Sequence, residues 1–150
     1  MTLLIHTLVS FASSVGFGII TNIPKRTLLP AGITGAVSWV VYVLIAGATP
    51  SVILPSLLAA VTIGLVANAF ALIVKAPVNV MYIPSLVSLV PGAIIYMSMK
   101  DFTLGQETAA QQGLIKTLTI AISLAVGFLV AEAIVRPLRK RLMRALKRTK

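Results

Sequence analysis

Residues 78–99 read VNVMYIPSLVSLVPGAIIYMSM, an apolar stretch long enough to cross a bilayer yet interrupted by Pro84 and by the pair Pro91-Gly92. A proline inside a helix removes a backbone donor and crowds the carbonyl four residues back. In hydrocarbon an unpaired backbone polar group costs several kcal/mol, so such a break persists only where protein or a water-filled cavity receives it. Discontinuous membrane helices accordingly mark solute and ion sites. The interruptions predict a place where freed amides and carbonyls, with Ser85 and Ser88 between them, meet a polar solute. A plain proline kink, patched by the serine hydroxyls, is the other reading of the same residues.

The rest of the chain supplies the setting. Of 150 residues 58% are hydrophobic and only 11% charged, with a mean hydropathy of +1.03. A soluble domain of this size cannot hide so much apolar surface, so the solvent is lipid. The runs are continuous rather than alternating, which predicts an all-α membrane protein and excludes a barrel. No cysteine is present, and the one histidine, His6, cannot build a metal site alone. Neither a metal nor another cofactor is expected. The start, Met1 to His6, lacks a basic region and a cleavage signal, and reads as a retained first helix.

Five transmembrane helices are predicted, at about 3–23, 28–48, 52–74, 78–99 and 114–135, with the fourth broken by prolines. Each approaches the roughly 20 residues needed to cross a core about 30 Å thick. Residues 1–136 form the transmembrane domain and 137–150 a basic amphipathic tail, while FTLGQETAAQQG (102–113) reads as a polar loop. The net charge is +10, but eight of the 13 Lys and Arg residues lie between Arg136 and Lys150. That placement argues for anionic lipid headgroups as the partner of the tail, and against nucleic acid. Five spans put Lys25-Arg26, Lys75 and the tail on one side. The positive-inside rule then predicts the N-terminus outside and the C-terminus cytoplasmic.

Small residues recur every four positions at Ala60, Gly64 and Asn68, and again at Ser123, Gly127 and Ala131, predicting two close helix–helix faces. Gly16, Gly18, Gly32 and Gly35 serve either packing or the walls of a solute path. No carboxylate pair, Ser/His/Asp set or phosphate loop is present, so an enzyme is not expected. Candidate solute-binding residues are Asn22, Asn68, Ser85, Ser88, Pro91, Gly92 and Tyr96. A helix starting near Gly92 would offer the positive end of its dipole to a carboxylate. Glu132 is the sole acid within an apolar span. It reads either as the ion-pair partner of Arg136, four residues on, or as a proton-coupling residue.

These residues resemble a known family. Residues 15–44, VGFGIITNIPKRTLLPAGITGAVSWVVYVL, are similar to the first conserved block of the small, C-terminal-type module of the threonine/serine exporter family. The carriers of the likeness are Gly16-Phe17, Asn22-Ile23-Pro24, Lys25-Arg26, Gly32, Gly35 and Trp39. Residues 83–99, IPSLVSLVPGAIIYMSM, resemble its second block, a Val-Pro-Gly signature followed by a tyrosine, here Tyr96. Ser88 stands where the family pattern places a further proline. The resemblance implies a subunit of a two-component secondary exporter of small hydrophilic metabolites, namely threonine and serine or dicarboxylates such as succinate. It also implies a larger exporter-family membrane subunit as partner, and the inner, cytoplasmic membrane as the location. Two five-span units in tandem would have opposite orientations, the inverted-repeat plan of many transporters. A noncatalytic membrane scaffold is the reading from another class.

Overall fold

The computed structural model describes the backbone of residues 2–148 and the side chains of residues 3–137. Over those residues it is all-helical, in the order α1 (Thr2–Ile20), α2 (Lys25–Ala48), α3 (Ile53–Val74), α4 (Asn79–Leu86), α5 (Gly92–Thr103) and α6 (Glu107–Arg148). Four of these, α1, α2, α3 and residues 107–137 of α6, are long and apolar enough to cross a membrane. The predicted fourth span is two short helices, α4 and α5, separated by five residues.

The basic turns stop their helices in the same way. Asn22 and Lys75 both take left-handed backbone, each with φ of 53°. The following amides reach back five residues, Ile23 N–H to the Gly18 carbonyl at 3.0 Å and Ala76 N–H to that of Ala71 at 3.2 Å. This is the Schellman pattern, and Pro24 and Pro77 then forbid continuation. Asparagine tolerates the left-handed region better than lysine. Lys75→Gly is expected to stabilise the protein by about 1 kcal/mol, read as a higher Tm in detergent.

α1 packs on α2, α2 on α3 and α3 on α6; α4 lies against α1, α2 and α3, while α5 lies along α6. The small-residue faces close these seams as expected. A Cβ on Gly64 would collide with that of Ala131, and one on Gly127 would sit 2.6 Å from the Leu57 carbonyl oxygen and 2.7 Å from Ala60 Cβ. Ala60 therefore meets Gly127 and, one turn on, Gly64 meets Ala131, so α3 and α6 run parallel. Gly32 receives the Phe11 ring, and Gly35 faces Ser14 Oγ, which binds α1 to α2.

Parallel α3 and α6 have a topological consequence. α3 ends at Lys75, yet α6 begins at the opposite end of the bundle, so α4 and α5 together carry the chain across it. The Lys25-Arg26 and Lys75 turns lie at one end, where Arg26 Nη2 approaches the Lys75 carbonyl at 3.5 Å. Arg136, at the same end of parallel α6, joins them. Lys100, Asp101, Glu107 and Lys116 lie towards the other end.

One expectation needs correction. The loop predicted at 102–113 is helical from Glu107, and only Leu104–Gln106 turns, with Gly105 at φ +75°. Ala109, Ala110, Gln111 and Gln112 are polar or small but are good helix formers, and Glu107 complements the positive helix end. The last helix runs on past Arg136, with Pro137 accommodated inside it. The lipid contact expected of the tail lies outside the described side chains.

Candidate functional site

The break is built from tight turns. Pro84, which reads either as an opening of the backbone or as a plain kink, sits inside α4, which continues to Leu86. A single missing donor two residues before the helix end disturbs little. The interruption falls instead at residues 87–91. There the Leu89 and Val90 amides both donate to the Leu86 carbonyl, at 2.9 and 3.2 Å, and Gly92 N–H donates to that of Val90 at 2.8 Å. The Leu89, Val90 and Gly92 amides are thus taken, whereas the Ala93 and Ile94 amides that open α5 reach no acceptor among the described residues. The break also frees acceptors: among the described residues no donor reaches the carbonyls of Val87, Ser88 and Leu89. Pro91 has no N–H to close on Val87.

Polar side chains gather beside it. His6, Ser10 and Ser13, at helical spacing on α1, join Trp39 of α2 and Ser88 of the break around a cavity of about 490 Å³. A second cavity of about 190 Å³ lies beyond, walled by Trp39, Tyr42, Ser88, Pro91 and Ile120 among others. Trp39 and Ser88 belong to both. The indole stacks on Tyr42, with centroids 5.3 Å apart and planes 21° from parallel, and meets His6 in a tilted pair at 6.3 Å. Ser10 Oγ lies 3.0 Å from Ser88 Oγ and 3.1 Å from the Gly35 carbonyl. No carboxylate lines either cavity.

The predicted residues divide between this place and others. Ser88 and Pro91 line the cavities; Gly92 opens α5 with open space where a Cβ would stand. Ser85 is fully buried, its hydroxyl 2.9 Å from the Ala31 carbonyl and 2.7 Å from that of Met81. It pins α4 to α2. Asn68 also holds the scaffold, donating to the Gly64 carbonyl at 2.8 Å and to Tyr82 Oη at 2.6 Å. Tyr82→Phe removes that acceptor and is expected to lower stability by about 1 kcal/mol, measured by thermal unfolding. Asn22 lies at the basic end, on a cavity of about 330 Å³ shared with Pro24, Asn79 and Pro84. Tyr96 is 69% exposed on α5. Glu132 Oε1 accepts from Arg136 Nε at 3.3 Å, an exposed pair of the i, i+4 type.

The sequence reading passed over Ser10, Ser13 and Trp39 as site residues. The signal was available on α1, where His6, Ser10 and Ser13 recur on one face of an otherwise apolar helix.

Several long apolar helices define a multi-pass membrane protein, and its broken helical pair is flanked by cavities whose mainly apolar walls carry a few polar groups. The family model described as Threonine/Serine exporter, ThrE, matches residues 6–134, which include every wall of these cavities. The chain belongs to the threonine/serine exporter family. No curated protein and no solved structure matches it.

Proposed function

We propose that this chain is one subunit of a two-component secondary exporter of the inner, cytoplasmic membrane. In this reading it moves threonine, serine or a small dicarboxylate such as succinate together with a larger membrane subunit of the same family. α4 and α5 form the fourth of five crossings, the N-terminus is outside, and the basic end is cytoplasmic. Parallel α3 and α6 support the odd number of crossings, and the shared end of Lys25-Arg26, Lys75 and Arg136 supports the orientation.

The observation that carries the reading is the placement of the cavities. One opens at Asn22 and Asn79, where α4 begins, and the others at Ser88, where it ends. Both positions follow the seam between α1 and α4. A solute entering at the basic end and leaving past the break would keep to that seam, with the three free carbonyls on its way. Residues on the seam act on the solute, while Ser85 and Asn68 keep α4 in place.

Proteoliposomes preloaded with labelled serine, threonine or succinate test this. Efflux is expected only when both subunits are reconstituted, and robust efflux from this chain alone would sink the two-subunit reading. Ser88→Val is expected to cut efflux at least about tenfold, the scale of a lost hydrogen bond to a charged group, with the complex still assembled. Loss of assembly instead would favour a noncatalytic scaffold. Glu132→Gln is expected to leave efflux within about twofold, because an exposed pair contributes little. A collapse of efflux in that variant would make Glu132 the coupling residue.

A further inference from the structure

Trp39 holds a polar atom that the fold leaves unused. Its indole Nε1 is buried and has no hydrogen-bond partner among the described residues. An indole nitrogen only donates, and a buried donor without an acceptor is costly enough that native structures seldom keep one. The side chain walls both cavities at the break, and a turn of the indole that uncovers the nitrogen would present it to an acceptor entering either one.

Proton accounting at Ser88 points the same way. The Gly35 carbonyl lies at hydrogen-bond distance from Ser38 Oγ, 2.8 Å, as well as from Ser10 Oγ. As a helical carbonyl it also takes the amide four residues on. Its two lone pairs are therefore filled without Ser10. The Ser10 proton is free to turn to Ser88 Oγ at 3.0 Å, which leaves the Ser88 proton for the cavity. Ser13 and His6 add further donors on the rim. Asp101, Glu107 and Glu132, the three acids of the chain, line none of these walls.

Beside the free carbonyls of the break, the pocket has these donors, the unpaired Ala93 and Ile94 amides on the smaller cavity and no acid, a set that suits an anionic oxygen. We propose that Trp39 and Ser88 form the binding site for the carboxylate group of the solute, the indole N–H and the Ser88 hydroxyl each donating to it. This rests on the export reading and adds its recognition residues.

The chain contains a single tryptophan, so its full-length ¹⁵N-labelled form in lipid nanodiscs shows one indole N–H resonance. Saturating serine and succinate are expected to move it downfield, and serine amide, which lacks the carboxylate, is expected to leave it in place. An unmoved resonance with all three, while the two-subunit complex still exports, overturns the site and leaves the export reading standing. An equal shift with serine amide overturns carboxylate recognition. The expected shifts in a protein that never exports would support the site and end the export reading.

In the reconstituted complex Trp39→Phe retains the ring stack on Tyr42 and removes the N–H. Its KM for efflux is expected to rise about tenfold or more with kcat little changed. Ser88→Ala, a smaller perturbation, is expected to shift KM in the same direction. An unchanged KM in both folded variants counts against the assignment.

Discussion

Gly127→Val is expected to yield no folded protein. The first added carbon already falls 2.6 Å from the Leu57 carbonyl oxygen, and that oxygen belongs to helix backbone, which cannot swing aside as a side-chain tip can. α3 and α6 would have to part along the seam that also seats Gly64 on Ala131. Overpacking of a well-filled site typically costs about 1–3 kcal/mol, and here the separation propagates to the apolar cluster of Ala60, Ile63, Ile120 and Leu124. In lipid no hydrophobic force draws helices together, so close packing carries the association. The measurement is monodisperse yield after detergent extraction. Gly16→Val is the control, because nothing lies within 4 Å of a Cβ at that position, and it is expected to extract normally. Equal yields for the two variants would show that the α3–α6 contact is looser than described.

The second large effect concerns the break. Carbonyls of Val87, Ser88 and Leu89 lack donors because the chain has no N–H at Pro91 and turns Gly92 back onto Val90. The double substitution Pro91→Ala with Gly92→Ala reverses both conditions. A helix running on from α4 would pair positions 91, 92 and 93 with those three carbonyls, through its ordinary i to i−4 bonds. Replacing proline and glycine also removes penalties of about 3 and 1 kcal/mol in a helix interior. The variant is expected to be at least as stable as the parent, and its efflux is expected to fall about a hundredfold or more, because the freed acceptors and the bend that holds Ser88 beside Trp39 disappear together. Unimpaired efflux with a raised Tm would separate transport from the break.

Much of this molecule is legible in its sequence. Long apolar runs between basic turns report the spans because bilayer thickness fixes their length. The small residues at Ala60, Gly64, Gly127 and Ala131 report their own packing, since a four-residue period is one face of a helix. Residues 102–113 misled because polarity was read as loop, although Ala109 to Gln112 favour a helix. Pro84 left two readings open because the cost of a proline depends on how many turns follow it, and that is set by where the break falls. The site was half visible. Ser88 and Pro91 announced themselves beside a helix break, whereas Trp39 and Ser10 gain meaning only from neighbours on other helices. No local pattern shows that an indole nitrogen lacks a partner.

The 42 residues of α6 give the molecule a lever. Gly127, pinned on Leu57 and Ala60, is the pivot. From there to Glu107 the helix extends 20 residues, roughly 30 Å, and from there to Arg136 nine residues, roughly 14 Å. A rocking of α6 about its pivot would displace the α5–α6 hairpin about twice as far as the basic end, and in the opposite direction. Small adjustments near the basic end would be geared up at the far side of the break.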